Sequence, residues 1–385
     1  LGDNGVEYEG GTKIKLAITT QACEPETSGT ANAIKEICRV LIRDYNYDIT
    51  ILIPNYWNDP VITNKKNLKI KRFPFFEIAR RYSISFPLLK SLMKSDYDLI
   101  HSFNIGYFPA TSGFIASRLK KKPHIFTTVF HPTVYSFYRT ALFWAYNLTQ
   151  GLFTLRGSKK VLPITKFEKK QLIKIGAKKE NMEVIPLPID TERFKPSKQK
   201  PKIKIKGKVV LKVGSLTKDK GAYNIFNICK SILKERKDTT FVFIGKGELE
   251  YELKLRARKY GNKIIFIKNI SLEELIKWYS RADIVVLASY YEAFSMILTE
   301  ARACGTPVVS TAVGGIPDVM KKGGFLVKYG DWKGFKSKII QLLDNGWLRF
   351  KMGKEGREYV VKNFDSKVVV KKLVSIYEDA IRREK

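Results

Sequence analysis

The chemistry available to this sequence is concentrated in ADIVVLASYYEAFSMILTEARACGTPVVSTAVGGIPDVM (282–320), where seven residues separate Glu292 from Glu300. A strand pattern precedes Glu292 and a helix pattern carries Glu300. Glu292 therefore belongs in a loop at the carboxyl end of a strand. The backbone N–H groups of Phe294, Ser295, Met296 and Ile297 then form a helix start, where unpaired donors favour phosphate or sugar oxygens. Two turns on, Glu300 is expected on roughly the same helical face, able to accept hydrogen bonds from neighbouring hydroxyls. Taken alone, both carboxylates could equally be solvated helix residues.

A second segment, KVGSLTKDKGAYNIF (212–226), sets Gly214 and Ser215 directly after a strand and Lys220 before the next helix. Taken by itself such a lysine is more often solvated than engaged with an anion. FIGKGELEYEL (243–253) places Gly245 and Gly247 either side of Lys246, again between strand and helix. Gly314–Gly315 would let backbone approach a ligand closely. Nearer the amino terminus, Ser28–Gly29–Thr30 opens a helix that Ser28 can cap. His101 and His131 both follow strands and can face a crevice. For His101 a buried structural role is the better expectation, and His124, at the start of a strand, is expected to be positional. Asp96 and Asp98 have the spacing of a metal-binding pair but introduce a strand, and no His/Cys cluster suggests a metal site.

Positioning these residues falls to two runs of alternating strands and helices. Segments 13–19, 48–54, 68–73, 98–103, 124–129 and 160–165 read as strands in the first half, and 208–214, 240–245, 263–268, 283–289 and 306–311 in the second. Helical patterns cover 222–233, 248–260, 272–281 and 296–304. Short β-branched strands alternating with helices argue for an α/β fold with parallel sheets covered on both faces. Such sheets bind ligands beyond the carboxyl ends of their strands. At 385 residues, 44% hydrophobic and 28% charged, the chain suits two domains, 1–195 and 206–366. FKPSKQKPKIKIKGK (194–208) is expected to connect them as a self-repelling linker. A last helix, 367–385, presents Val370, Leu373, Ile376, Tyr377 and Ala380 on one face and is expected to pack back on the first domain. The opening LGDNGVEYEGGT reads as a loose arm without the pattern of a secretory signal.

With ARACGTPVVS and GGIPD following the two glutamates in order, the sequence resembles the retaining glycosyltransferases of family 4 (glycosyl transferases group 1). The resemblance covers nearly the whole chain and is strongest over 209–331. It implies the GT-B fold, two Rossmann-like doubly wound domains facing across a cleft, with the acceptor on the amino-terminal side and the donor on the other. It implies transfer of a hexose or N-acetylhexosamine from a nucleotide diphosphate sugar to an acceptor hydroxyl, with no cofactor and no metal, by orientation and charge stabilisation. On that basis the catalytic groups are His131, Glu292 and Lys220. Glu292 would hold sugar hydroxyls, Glu300 the ribose, Lys220 the diphosphate, and His131 the donor sugar near the reacting centre. Gly29, Gly214, Ser215, Gly245, Gly247, Phe294, Ser295, Met296 and Ile297 would complete the donor site. The sequence also departs from the family. Ser215 stands where the family has an arginine, so a planar charged fork is lost and the diphosphate must lean on Lys220, Lys218 or backbone N–H groups. Ala293 and Ser295 replace glycines next to the sugar. Leu187 and Pro188 replace an Asn–Gly turn between the domains.

A net charge of +33 must shape what the surface attracts: nucleic acid, anionic lipid headgroups or phosphorylated small molecules. A lysine-rich composition without any partner fits as well. No recognition helix, finger or RNP-like strand supports nucleic acid, which is not an expected partner. Segment 65–94 holds nine Lys/Arg against one Glu, interleaved with Phe73, Phe75, Phe76, Ile78, Tyr82, Ile84, Phe86 and Leu88. Pro87 is expected to split it into two short amphipathic pieces. With the aromatic tract 133–153, it makes an anionic membrane surface a candidate partner. The alternative, that the aromatics are core and the lysines a solvated face, weighs about the same. The run 140–155 is too short and polar to span a bilayer. Four scattered cysteines suggest a reducing compartment, hence the cytoplasm, with peripheral attachment at the inner face of the membrane as an extension. Given Ser215, Ala293 and Ser295, a catalytically impaired nucleotide-sugar binder is a further alternative.

Overall fold

The computed structural model describes residues 13–23, 28–56, 59, 61–79, 82–130 and 147–383. His131, most of the 133–153 tract and the 1–12 arm lie outside the described residues. By internal contacts the chain forms two units, Leu1–Pro188 with Ser366–Lys385, and Ile189–Asp365.

In the first unit the strands are β1 (Lys15–Thr19), β2 (Asp48–Pro54), β3 (Ile62–Lys65), β4 (Leu68–Phe73), β5 (Phe76–Ala79), β6 (Tyr82–Ile84), β7 (Leu99–Phe103), β8 (His124–Thr127) and β9 (Lys160–Leu162). Seven of them make one sheet in the order β3-β4-β2-β1-β7-β8-β9, parallel except for the β3–β4 edge. The two-residue period of a strand explains how β1 serves both faces. Leu16 and Ile18 point into a core built with Ile34, Ile37, Cys38 and Leu41 of the helix Gly29–Tyr45 and with Val370, Leu373 and Tyr377 of the helix Ser366–Arg382. Ala17 points the other way, towards Leu88, Leu92 and Ala116 of the helices Phe86–Lys94 and Phe108–Lys120. The last helix of the chain thus completes the core of the first unit.

Polar side chains run through this core as a connected series. Thr19 and Ser102 hydroxyls meet at 2.7 Å, Ser102 Oγ meets His124 Nε2 at 2.8 Å, and His124 Nδ1 meets Ser158 Oγ at 2.8 Å. His101 is wholly buried between Tyr377 Oη (2.6 Å) and Thr127 Oγ1 (2.8 Å). Burial holds both imidazoles neutral: it drives His101 well below the usual range, the neighbouring His124 adding to the effect, and lowers His124 to about 3. His101 is structural, as its pattern suggests. His124 is more than positional, because it links three elements through both ring nitrogens.

Two further expectations change. Pro87 does not divide an amphipathic pair. It sits in the first turn of a single helix, Phe86–Lys94, capped by Ser85, where a missing N–H costs nothing; the residues before it form the β5–β6 hairpin. The chain leaves the first unit at Pro188, upstream of the lysine-rich stretch, which belongs to the second unit. That stretch is strapped down: Ser197 N–H donates to Ser280 Oγ (3.0 Å), Lys202 N–H to Glu274 (2.8 Å), and Arg281 holds the carbonyls of Ile205 and Gly207. All four cysteines are free and buried. Among the described residues no helix is long and apolar enough to cross a membrane.

The second unit has a wholly parallel sheet: β10 (Lys208–Val213), β11 (Thr239–Ile244), β12 (Ile264–Ile267), β13 (Ile284–Leu287), β14 (Val308–Thr311) and β15 (Gly324–Val327), ordered β12-β11-β10-β13-β14-β15. Phe226 and Ile232 of the helix Ala222–Glu235, with Phe335 and Ile339 of the helix Trp332–Asp344, cover one face of it. The neighbours β10 and β13, and β11 and β14 beside them, all end at the same edge, so the loops after them are brought together.

Removing the hydroxyl that ties the last helix to the sheet tests the first unit. Tyr377→Phe leaves a buried imidazole nitrogen unpaired and should lower the unfolding free energy by about 1–3 kcal/mol in a urea titration.

Candidate functional site

Four loops at the carboxyl edge of the second sheet nest against one another. A side chain at Gly245, after β11, would strike Gly214 O at 2.1 Å, and one at Gly247 would strike Leu216 O at 2.4 Å. The turn after β10 is therefore packed against the loop after β11 backbone to backbone. On its other side Gly221 lies against Ala288 O, where an added Cβ would be 2.0 Å away, and Tyr290 N–H donates to Asp219 O at 2.8 Å. The Gly314–Gly315 pair closes on Glu292: Gly315 N–H donates to its carbonyl at 2.8 Å, and a Cβ at Gly314 would meet that oxygen at 2.1 Å. The close approach that these two glycines allow is to the Glu292 loop.

Within this cluster Lys220 Nζ contacts Glu292 Oε1 at 2.9 Å, and Ser289 Oγ donates to the same oxygen at 2.8 Å. The pair is partly open to solvent, with side-chain exposures of 29% and 13%. Glu292 is held in the loop between β13 and the helix Met296–Ala303, four residues before that helix begins. The expectation that it shares a helical face with Glu300 fails for this reason; the ion pair and Ser289 orient it instead. Glu300 lies on the helix, 8% exposed, accepting from Tyr279 Oη at 2.8 Å. Burial pushes its carboxyl up to about 6 against the pull of that hydrogen bond.

The residues between them divide. Phe294 is buried, edge-on to Phe364 with ring centroids 5.5 Å apart, so its ring is core and its backbone alone borders the loop. Met296 and Ile297 are half-buried in the first turn, and Gly214 lies close enough that an added Cβ would meet Ile297 Cδ1 at 2.8 Å. Ser295 stands just before the helix at φ +76° without a side-chain capping bond, a conformation that costs a side-chain-bearing residue energy. Its hydroxyl is buried and has no hydrogen-bond partner among the described residues. Ser215 is exposed at the turn after β10. In the first unit Gly29 begins the helix Gly29–Tyr45, and Ser28 Oγ accepts from Ala31 N–H at 3.3 Å. Lys220, Glu292, Gly214, Ser215, Gly245, Gly247 and the start of the helix at Met296 thus share one edge. His131 lies outside the described residues.

Sequence reading missed Lys212. It sits in β10, 1% exposed, with Nζ donating to the carbonyls of Gly214 (2.7 Å) and Ser215 (2.5 Å). Burial, with the nearby Lys220 charge, pushes its ammonium down to about 7, opposed by Glu292 and Asp219. A lysine inside an otherwise apolar central strand, KVVLKV, was the available signal. Tyr279 and Ser289 carried none. Among the described residues no three His, Cys, Asp or Glu side chains gather as a metal site would need.

Residues 27–193 match the sequence model of Glycosyltransferase Family 4, and residues 193–359 that of Glycosyl transferases group 1. An uncharacterized glycosyltransferase of Methanocaldococcus jannaschii is 28% identical over 388 residues, 95% of this chain and 98% of its own. The GPI3 subunit of phosphatidylinositol N-acetylglucosaminyltransferase from Saccharomyces cerevisiae is 24% identical over 321 residues, 80% of this chain and 70% of its own. Among solved structures, HepE of Anabaena in complex with UDP-glucose superposes with a TM-score of 0.73 at 17% identity, covering 95% of this chain and all of that one (100%). The two units are the Rossmann-like domains of a GT-B fold. The chain belongs to glycosyltransferase family 4 and is a transferase enzyme.

Glycine is the residue that Ser295's backbone suits. Ser295→Gly should raise the unfolding free energy by about 1 kcal/mol in a denaturant titration, by releasing strain and an unpaired hydroxyl.

Proposed function

We propose that this glycosyltransferase is a retaining enzyme that moves a hexose or N-acetylhexosamine from a nucleotide diphosphate sugar to an acceptor hydroxyl. The observation that carries the reading is the Lys220–Glu292 pair among loops at the carboxyl edge of a parallel sheet, beside the start of the helix that holds Glu300. Lys220 supplies positive charge for the diphosphate, Glu292 accepts from sugar hydroxyls, and Glu300 accepts from the ribose. The N–H groups at the start of the helix Met296–Ala303 add donors where charge develops. No metal or cofactor takes part in this scheme. The departing diphosphate assists the incoming hydroxyl on the same face of the sugar, with His131 near the reacting carbon. The solved HepE complex with UDP-glucose supports a nucleotide-sugar donor, and the yeast relative's name supports an N-acetylhexosamine.

Exposed side chains of the first unit support a membrane lipid or lipid-linked glycan as the acceptor. Phe76 of the hairpin and Phe86 at the head of the next helix are 72% and 70% exposed, while Leu88 and Leu92 behind them are core. Lys65, Lys66, Lys90 and Lys94 are exposed in the same segment, whereas Arg72 is buried and bonded to Thr63. Exposed aromatics among lysines suit an anionic membrane surface, and the enzyme would work peripherally at the cytoplasmic face.

Two substitutions check the donor reading. Glu300→Ala should weaken donor affinity about tenfold or more, and Lys220→Ala should cut turnover about a hundredfold against a nucleotide-sugar panel. Unchanged values remove each residue from its role, and binding without turnover in the wild type would favour an impaired binder. In liposome sedimentation, Phe76→Ser/Phe86→Ser should release the protein from vesicles containing anionic lipid. Retention on DNA but not on vesicles would assign the surface charge to nucleic acid.

A further inference from the structure

Lys212 has no part in the scheme above, yet it is a cation 1% exposed directly beneath the turn after β10. Its two hydrogen bonds, to Gly214 O and Ser215 O, use two of the three N–H groups of an ammonium. In a planar trans peptide the C=O and the N–H point in opposite directions. With Gly214 O held on the ammonium, the Ser215 N–H of the same peptide must point away from Lys212, out of the strand. With Ser215 O held there too, the next amide is turned the other way, and Leu216 N–H donates to Lys246 O at 2.7 Å. Among the described residues the Ser215 N–H itself donates to no protein acceptor. Ser215 is exposed, so this unused donor opens towards solvent at the edge where Lys220 lies.

A cation buried under two neutral carbonyls and near a second ammonium is costly, and the Glu292 and Asp219 carboxylates offset that cost only in part. Met would fill a similar volume without that cost. The charge becomes an asset when a dianion settles on the outer side of the turn.

We propose that Lys212 is a positioning residue for the donor diphosphate: from beneath the Gly214–Ser215 turn it aims the Ser215 N–H at the diphosphate and supplies the positive charge that the family takes from an arginine at position 215. The inference rests on the nucleotide-sugar reading of this loop cluster. The charged groups facing the ammonium are Lys220 and Asp219 from the loop after β10 and Glu292 from the loop after β13. Below about pH 7 the ammonium is charged before the donor arrives. Above that value the proton must be taken up on binding, so affinity falls as pH rises.

The test is a calorimetric titration of UDP-glucose, GDP-mannose and ADP-glucose between pH 6.5 and 8.5, using whichever the wild type binds. In the wild type, affinity should fall roughly tenfold from pH 7 to 8.5. Lys212→Met should bind roughly tenfold more weakly at pH 6.5 and lose most of the slope. Lys212→Met/Ser215→Arg should regain the affinity without the slope, an outcome that a merely space-filling lysine would not produce. A wild-type affinity flat with pH, a Lys212→Met protein with wild-type affinity and slope, or failure of Ser215→Arg to restore binding overturns the inference. If Lys212→Met does not fold, the wild-type profile alone decides. Should Lys220→Ala and Glu300→Ala weaken binding while Lys212→Met does not, only this inference fails. Should none of the three matter, or no nucleotide sugar bind, the donor-site reading fails with it.

Discussion

The contact between Lys220 and Glu292 joins residues 72 apart in the chain, and it can exist because β10 and β13 are neighbours in a parallel sheet. A partly buried lysine and a partly buried glutamate would each pay for lost hydration if left alone. Paired at 2.9 Å, they keep two loops of a single edge in one arrangement, and Ser289 fixes which carboxylate oxygen is used. The loops come this close because backbone lies directly on backbone at Gly221 and Gly245, where a side chain would collide with a carbonyl. Charge and close packing thus act on the same few peptide groups.

Buried polar groups serve two different ends in the core of the first unit and at the loop edge of the second. In the first, His101 and His124 are neutral, fully paired and devoted to holding β7, β8 and the last helix in register. A satisfied network of this kind specifies one packing of a core. In the second, Lys212, Ser295 and Glu300 are buried with partners missing or with their charge disfavoured. Unmet polar capacity gathered at one edge is the mark of a place where a ligand completes the structure.

Two of the departures from the family's pattern, Ser215 and Ser295, fall at that edge. Ser295 holds a backbone angle that glycine would adopt without strain, so the substitution has kept the shape of the loop and added a hydroxyl inside it. Ser215 removes a guanidinium while a lysine two residues earlier than Gly214 lies under the same turn. Both changes leave the path of the backbone in place and alter what it offers.

Periodicity and turn residues determined most of the architecture on their own. The strands anticipated at 48–54 and 68–73 and the helix at 272–281 form with those bounds, because two-residue and 3.6-residue apolar patterns are local properties. β15 escaped because its four residues begin at a glycine and lack a β-branched run; it is a strand only by pairing with β14. The acidic pair, Lys220 and the glycines of the loops were singled out by type and spacing together with the order of the family's motifs. What only the tertiary structure decided was their partnership: that Glu292 faces Lys220 rather than sharing a helix with Glu300, that Tyr279 covers Glu300, and that a lysine in the middle of a strand turns beneath the loop. Those contacts depend on which strands lie side by side, and strand order is settled by long-range packing that no local pattern encodes.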